Sequence, residues 1–222
     1  MSKVASLRMS FVAAVAAAMV ALLALSAGVG TAWADGDIIN VSQVKATSTQ
    51  KAFYYPKNAD GNGWWLVGNA KGKKFIDFKS SNKSVIAVTY YKGDKTSVQI
   101  TFKKAGKANV TFKYNGKKYK MNFVIVKYTN PVKTFKVGSV NYASKFKNMP
   151  YCFLDKALAG KSVTVKASAG WKFMYFPRYT STDKVEKLKT LKKFPDDGYV
   201  SVVFKHKKSG ALQTISLCGE AY

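Results

Sequence analysis

"VTFKYNGKKYKMNF", Val110 to Phe123, alternates large apolar side chains with lysines around Asn115-Gly116. Asn-Gly between alternating residues is the strongest short-range hairpin signal, and its two-residue loop fixes the register. On one face Tyr114 then meets Lys117, Phe112 meets Tyr119, Val110 meets Met121 and Ala108 meets Phe123. On the other, Lys113 meets Lys118, Thr111 meets Lys120 and Asn109 meets Asn122. Beyond the pair at the turn, rings and ammonium groups segregate. A slip of one residue would set Phe112 opposite Lys120 and spoil both faces. Proteins that grip single-stranded nucleic acid interleave rings and cations on one open surface. Here the rings are assigned to a core. Lys113, Lys118 and Lys120 form a solvated face, which serves solubility first and polyanion contact second.

The same period of two runs outward along the chain. It predicts strands near Ile38–Lys45, Lys74–Lys79, Ser84–Tyr91, Ser97–Lys103, Asn109–Tyr114 and Lys118–Lys127. It predicts six more near Lys133–Val137, Tyr151–Leu154, Ser162–Ala167, Trp171–Phe176, Tyr199–Lys205 and Ala211–Leu217. Turn signals separate them, among them Gly93-Asp94, Ala105-Gly106, Ala169-Gly170 and Ser209-Gly210. Many short strands at even spacing indicate an all-β chain of two tandem immunoglobulin-like β-sandwiches. Asn130-Pro131 marks the boundary, giving units at residues 35–129 and 130–222. Asp183 and Glu186 fit a capping box ahead of Val185, Leu188 and Leu191 at helical spacing. A short excursion between strands accounts for that lysine-rich segment better.

"SSNKSVIAV", Ser80 to Val88, and "VQITFKKAGKANVTFKYNGKKYKMNFVIV", Val98 to Val126, resemble the second group of bacterial immunoglobulin-like domains, found in intimins and invasins. The resemblance rests on the Ser-Ser-Asn turn, Ala105-Gly106 and the closing hairpin. Phe78 stands where that group often has Trp. The resemblance implies a non-catalytic extracellular module, a spacer or adhesin segment, with no fixed binding residues. The second unit shares the style of the fold as a diverged sandwich.

Lys3 and Arg8 precede a long apolar run, Met9 to Gly30, and then "AWA", Ala32 to Ala34. This is the pattern of a signal peptide over residues 1–34, cleaved before Asp35. The run is also long enough to serve as a retained anchor. No further apolar run of that length follows, so no transmembrane span is expected in the mature chain, and the chain ends without a Leu-Pro-x-Thr-Gly signal. The protein is expected to be secreted, then released or held at the cell surface without a covalent link.

Losing Lys3 and Arg8 lowers the net charge from +26 to +24. The cations are spread over both units, and Arg178 is the one arginine after residue 34. Lysine is a point charge, whereas the arginine fork suits bidentate reading of guanine. The composition therefore argues against sequence-specific nucleic-acid binding. It fits salt-sensitive contact with an anionic cell-wall polymer or acidic glycan, with a host surface protein as a further partner.

Cys152 and Cys218 would form one disulfide in an oxidising compartment, closing a long loop; two buried free thiols are the rival reading. His206 is the one histidine and sits among lysines. No metal-ligand spacing, nucleophile elbow or phosphate loop is present, so no metal, no cofactor and no enzymatic activity are expected. A Cys-dependent enzyme pairing His206 with Cys218 is the third reading. Asp60-x-Asn62 resembles a calcium loop only faintly. The least ordinary stretch is "YYPKNADGNGWWLVGNAKGKK", Tyr54 to Lys74. Trp64 and Trp65 must point to opposite faces of a strand. One would fill the core; the other, with Tyr54 and Tyr55, would stack on a sugar or anchor a protein. The competing reading packs both. Function is thus expected to be binding or adhesion, with a ligand-free structural spacer or assembly module as the alternative.

Overall fold

The computed structural model describes residues 38–58, 62–68, 72–91, 94–179 and 185–220. The signal peptide expected over residues 1–34 lies outside them, as do Asp60, the Gly93 turn position and Asp183 of the expected capping box.

The described residues of the first half hold eight strands: β1 (Ile38–Asn40), β2 (Thr47–Tyr54), β3 (Gly63–Val67), β4 (Phe75–Ser80), β5 (Ile86–Tyr91), β6 (Asp94–Phe102), β7 (Gly106–Tyr114) and β8 (Lys117–Lys127). They form two sheets, ordered β1-β3-β6-β5 and β2-β8-β7-β4. The β7–β8 hairpin has the register that its Asn-Gly turn demands, with Phe112 opposite Tyr119 and Lys113 opposite Lys118. Asn115 and Gly116 both take positive φ, 48° and 75°, as a type I′ turn requires. The inner faces meet through rings: Trp64 of β3 lies 5.3 Å from Phe123 of β8, and Phe75 of β4 lies 5.6 Å from Phe112 of β7. One sheet carries the order of the A-B-E-D sheet of an immunoglobulin domain, and the other that of its G-F-C sheet with an added edge strand.

The opening segment departs from the single strand expected at Ile38–Lys45. A 3-10 turn, Val41–Gln43, interrupts it, with Asn40 and Gln43 capping each other's backbone. The chain then changes sheets: β1 runs parallel to β3, and β2 runs parallel to β8. β2 and β3 fall in a region the alternation did not mark as strand. Gln50, Lys51 and the run of glycines near Trp64 obscure the period there.

The second half holds β9 (Val132–Val137), β10 (Val140–Asn141), β11 (Tyr151–Ala157), β12 (Val163–Ala167), β13 (Trp171–Tyr179), β14 (Val185–Leu188), β15 (Tyr199–His206) and β16 (Leu212–Glu220). A five-stranded sheet, β11-β16-β15-β13-β14, faces a three-stranded one, β10-β9-β12. Backbone bonds from Val163 and Phe194 to Lys192 and Lys161 extend the smaller sheet's edge without a full strand. This is the diverged sandwich. Residues 185–188, offered above as a helix or an excursion, form strand β14 against β13. The bulk of Phe176 and Leu188, paired across the strands, favours the extended state there.

The expected disulfide is not formed: Cys152 and Cys218 are both free. Parallel pairing of β11 with β16 sets Cys152 beside Leu217 and Phe153 beside Cys218. Paired residues share a face and successive residues alternate, so the two thiols point to opposite faces of the sheet. The cysteines do lie on adjacent strands, but the register, one residue out, keeps the thiols on opposite faces.

Among the described residues no sheet mixes strands from the two halves, but one hydrophobic cluster draws on both. Phe53, Tyr55 and Tyr128 of the first half are buried in the same cluster as Phe135, Trp171, Phe204 and Leu217 of the second. The Trp171 indole donates to Thr129 Oγ1 at 3.1 Å, and the Tyr55 hydroxyl donates to Gln213 Oε1 at 2.9 Å.

Candidate lysine concavity

The outer face of the β2-β8-β7-β4 sheet bears the feature best suited to a ligand. Strand parity sends Lys113, Thr111, Asn109 and Lys107 of β7 outward, and with them Lys118, Lys120 and Asn122 of β8. Cross-strand pairing adds Thr47 of β2 beside Lys120, and Lys79 of β4 beside Thr111. Twist and a bulge in β4 make the face concave. The bulge falls between Ile76 and Lys79, where Asp77 takes φ of +58°. An aspartate tolerates that left-handed conformation better than most residues because its short side chain bonds locally. The result is an open concavity of about 550 Å³ lined by Lys79, Lys113, Lys118, Lys120, Asp77 and Tyr119.

Its electrostatics are one-sided. Four ammonium groups line it against a single carboxylate. Asp77 Oδ2 lies 2.6 Å from Lys113 Nζ, and both side chains stay about half exposed. The hydrogen bond and then the charge of Lys113 hold the Asp77 carboxyl below its usual range. Lys113 and Lys118 face each other directly. Like charges in that position destabilise a sheet. Asp77 offsets part of this repulsion and leaves the concavity strongly positive. A second concavity of similar volume, lined by Lys79, Lys83, Lys103 and Phe78, adjoins it and shares Lys79.

All three lysines singled out from sequence, Lys113, Lys118 and Lys120, therefore meet in one place. Lys79 and Asp77 were missed, because the β4 bulge breaks the alternation that would have assigned their faces. The tryptophan region divides differently. Trp64 is 1% exposed and packs against Phe102 and Phe123. Tyr55 is buried in the cluster between the halves. Neither offers a face to a ligand. Tyr54 and Trp65 are half-buried, and Tyr54 packs against the first core. Asn62 is also structural: its side chain accepts from the Tyr55 N–H at 2.6 Å and donates to the Tyr55 carbonyl at 2.8 Å, which pins the segment between β2 and β3.

The remaining chemistry is scattered. His206 packs its ring 4.9 Å from that of Trp171, and its Nδ1 bonds Ser209 Oγ at 2.9 Å. Burial, then the charge of Lys208, lowers its pKa. Burial pushes the Cys218 thiol up to about 12, far from a reactive thiolate. Tyr199, Ser201 and Ser216 bond one another across β15 and β16. Among the described residues no cluster of three His, Cys, Asp or Glu side chains could hold a metal. Among them, too, no helix is long and apolar enough to cross a membrane.

The chain matches no family model and no curated protein sequence. Solved structures similar to it include domains 4–9 of the surface layer protein SbsC, at 13% identity over 69% of this chain, with a TM-score of 0.24. They also include the tandem Ig repeats of Dlar, at 11% identity over 79% of this chain and 95% of that one, with a TM-score of 0.32. Human protocadherin-24 EC1-2 follows, at 9% identity over 80% and 94%, with a TM-score of 0.25. This chain spans 27% of the SbsC chain. The superpositions are too loose for any of these proteins to carry an argument about this one.

Proposed function

We propose that this protein is a secreted, non-catalytic binding module of the bacterial surface or its surroundings, which holds anionic polymers by their charge. The observation that carries this reading is the convergence of Lys79, Lys113, Lys118 and Lys120 on one open concavity with a single acid among them. The facing Lys113–Lys118 pair supports it, since a sheet serving solubility alone gains nothing from opposed cations. In keeping with this reading, the units run over residues 35–129 and 130–222, and the first is kin to the second group of bacterial immunoglobulin-like domains. The leader directs export.

The test is calorimetric titration of the full mature chain with an anionic wall polymer and with heparin, at low and physiological salt. Affinity falls steeply with salt as bound counterions are released. A triple variant, Lys113→Ala, Lys118→Ala and Lys120→Ala, loses about tenfold or more, equivalent to about 1.4 kcal/mol. A control triple, Lys133→Ala, Lys136→Ala and Lys166→Ala on β9 and β12, removes the same charge elsewhere and loses far less. Equal losses from both triples would reduce the site to diffuse charge. A second reading, a rigid spacer or assembly module without a ligand, draws on the hydrophobic cluster shared between the halves. Absence of binding to either polymer at physiological salt leaves that reading in place.

A further inference from the structure

The concavity is one end of a longer feature. Along the outer face of β7, β8 and β2, paired residues step from Lys113 and Lys118 to Thr111, Lys120 and Thr47, with Lys79 beside Thr111. The next row is Asn109, Asn122 and Thr49, and the one after it Lys107, Val124 and Lys51. Rows on one face are two residues apart, about 7 Å, so Lys118 and the Lys51 row are separated by about 20 Å. The row beyond, Val126 and Phe53, closes the face, because Phe53 is buried against Trp171 of the second half. There the cationic line crosses the junction. A side chain at Gly210, in the β15–β16 turn, would start 3.2 Å from Lys51 Nζ and 3.7 Å from Lys205 Cε. Lys51 and Lys205, from different sandwiches, thus meet over one glycine, and Lys172 lies opposite Lys205 on β13.

Two properties of this track define its ligand. It is linear and runs parallel to the strands, with cations in three of these four rows and one uncharged hydrogen-bonding row, Asn109, Asn122 and Thr49, among them. It is also poor in open rings: among the described residues Tyr119 lines it but is only partly exposed. Tyr119, at one end, is stacked on Phe112 at 4.9 Å, and Phe53 and Trp171, at the other, are buried in the core. The bases of single-stranded nucleic acid are gripped by exposed rings on which they stack. Lysine, by contrast, binds phosphate as a point charge without demanding a planar partner.

Resting on the proposed polyanion-binding function, we infer that the ligand is an extended polyphosphodiester, with its charges in the backbone, lying along this track from Lys118 to Lys205 and bridging both sandwiches. The shared hydrophobic cluster holds the two ends of the track in fixed relation, so no ordering of the two halves is needed on binding.

The experiment uses the full mature chain, glycerol-phosphate oligomers of two and of eight or more repeats, inorganic phosphate, and a heparin oligosaccharide of matched charge. The long glycerol-phosphate oligomer binds at least about tenfold more tightly than the short one, and inorganic phosphate binds weakly. The Lys51→Ala, Lys205→Ala double variant weakens the long oligomer about tenfold and leaves the short one unchanged; its unaltered thermal unfolding checks that the junction is intact. If the double variant has no effect while the Lys113, Lys118 and Lys120 triple still weakens binding, the track is overturned and the concavity stands. If neither variant matters, both readings fail. Heparin binding as tight as the long oligomer, and equally sensitive to Lys51 and Lys205, would overturn the phosphodiester assignment.

Discussion

The ring of Phe53, near the end of β2, lies 5.4 Å from that of Trp171, at the start of β13, so a side chain of the first sandwich completes the core of the second. Phe53 is 2% exposed and Trp171 3%. With Tyr55, Tyr128 and the Tyr55–Gln213 hydrogen bond, this contact makes the junction part of the interior.

Phe53→Ala is therefore expected to cost about 3–5 kcal/mol, as for other buried aromatics. The loss falls on the second half although the residue belongs to the first. Denaturant unfolding of the native protein should follow one transition, and the variant should separate into two. A variant that melts like the native protein would show that the halves are independent.

Asp77→Asn removes the one acid of the concavity and keeps a residue tolerant of positive φ. Binding of anionic polymers should tighten several-fold at low salt, and the slope of affinity against salt should steepen by about one unit. Titration at four salt concentrations measures both. The Asp77–Lys113 pair also sets a pH sign: its carboxyl is held below the usual range, so the stabilisation is full above that range and is lost as acid protonates the folded state.

Lys118→Glu replaces a repulsive cross-strand pair with an attractive one. Stability should rise by about half a kcal/mol, while polymer binding falls. Loss of both together would mean that Lys118 serves the fold and not a ligand.

The thiols are free, and burial disfavours the thiolate at both, raising Cys218 to about 12. Without reductant, alkylation in denaturant should add two groups per chain. In native buffer Cys218 should react slowest, because it is 2% exposed. A denatured chain that takes up no alkylating agent would establish the disulfide that the register forbids.

His206 gives the fold a mild acid sensitivity. Burial, then the charge of Lys208, lowers its pKa in the folded state below the 6.5 of the unfolded chain. Stability is full above that pH and declines as pH falls below it. The thermal midpoint should drop between pH 7.5 and 5.5, and His206→Gln should flatten that drop.

Much of the fold was legible in the sequence. Asn115-Gly116 determined the hairpin register, and the parity of its flanks separated Phe112 and Tyr119 from Lys113 and Lys118. Strands were hidden wherever that parity lapsed, as at Lys51 in β2 and among the glycines flanking β3. The site was half legible. Its β7 and β8 lysines follow from parity, but Lys79 and Asp77 come from a bulged strand whose face no local pattern sets. The disulfide failed for a related reason: proximity of two strands says nothing of register, and a shift of one residue reverses a side chain's direction.

By itself the sequence determined an all-β chain with rings inward and ammonium groups outward, because a period of two is a property of extended backbone and needs no tertiary partner. Only the tertiary structure decided that Phe53 and Tyr55 belong to the far sandwich, that four lysines share one hollow, and that Lys51 meets Lys205. These are contacts between strands distant in the chain. Their pairing is settled by burial of whole faces against each other, a sum over both sheets that no local stretch contains.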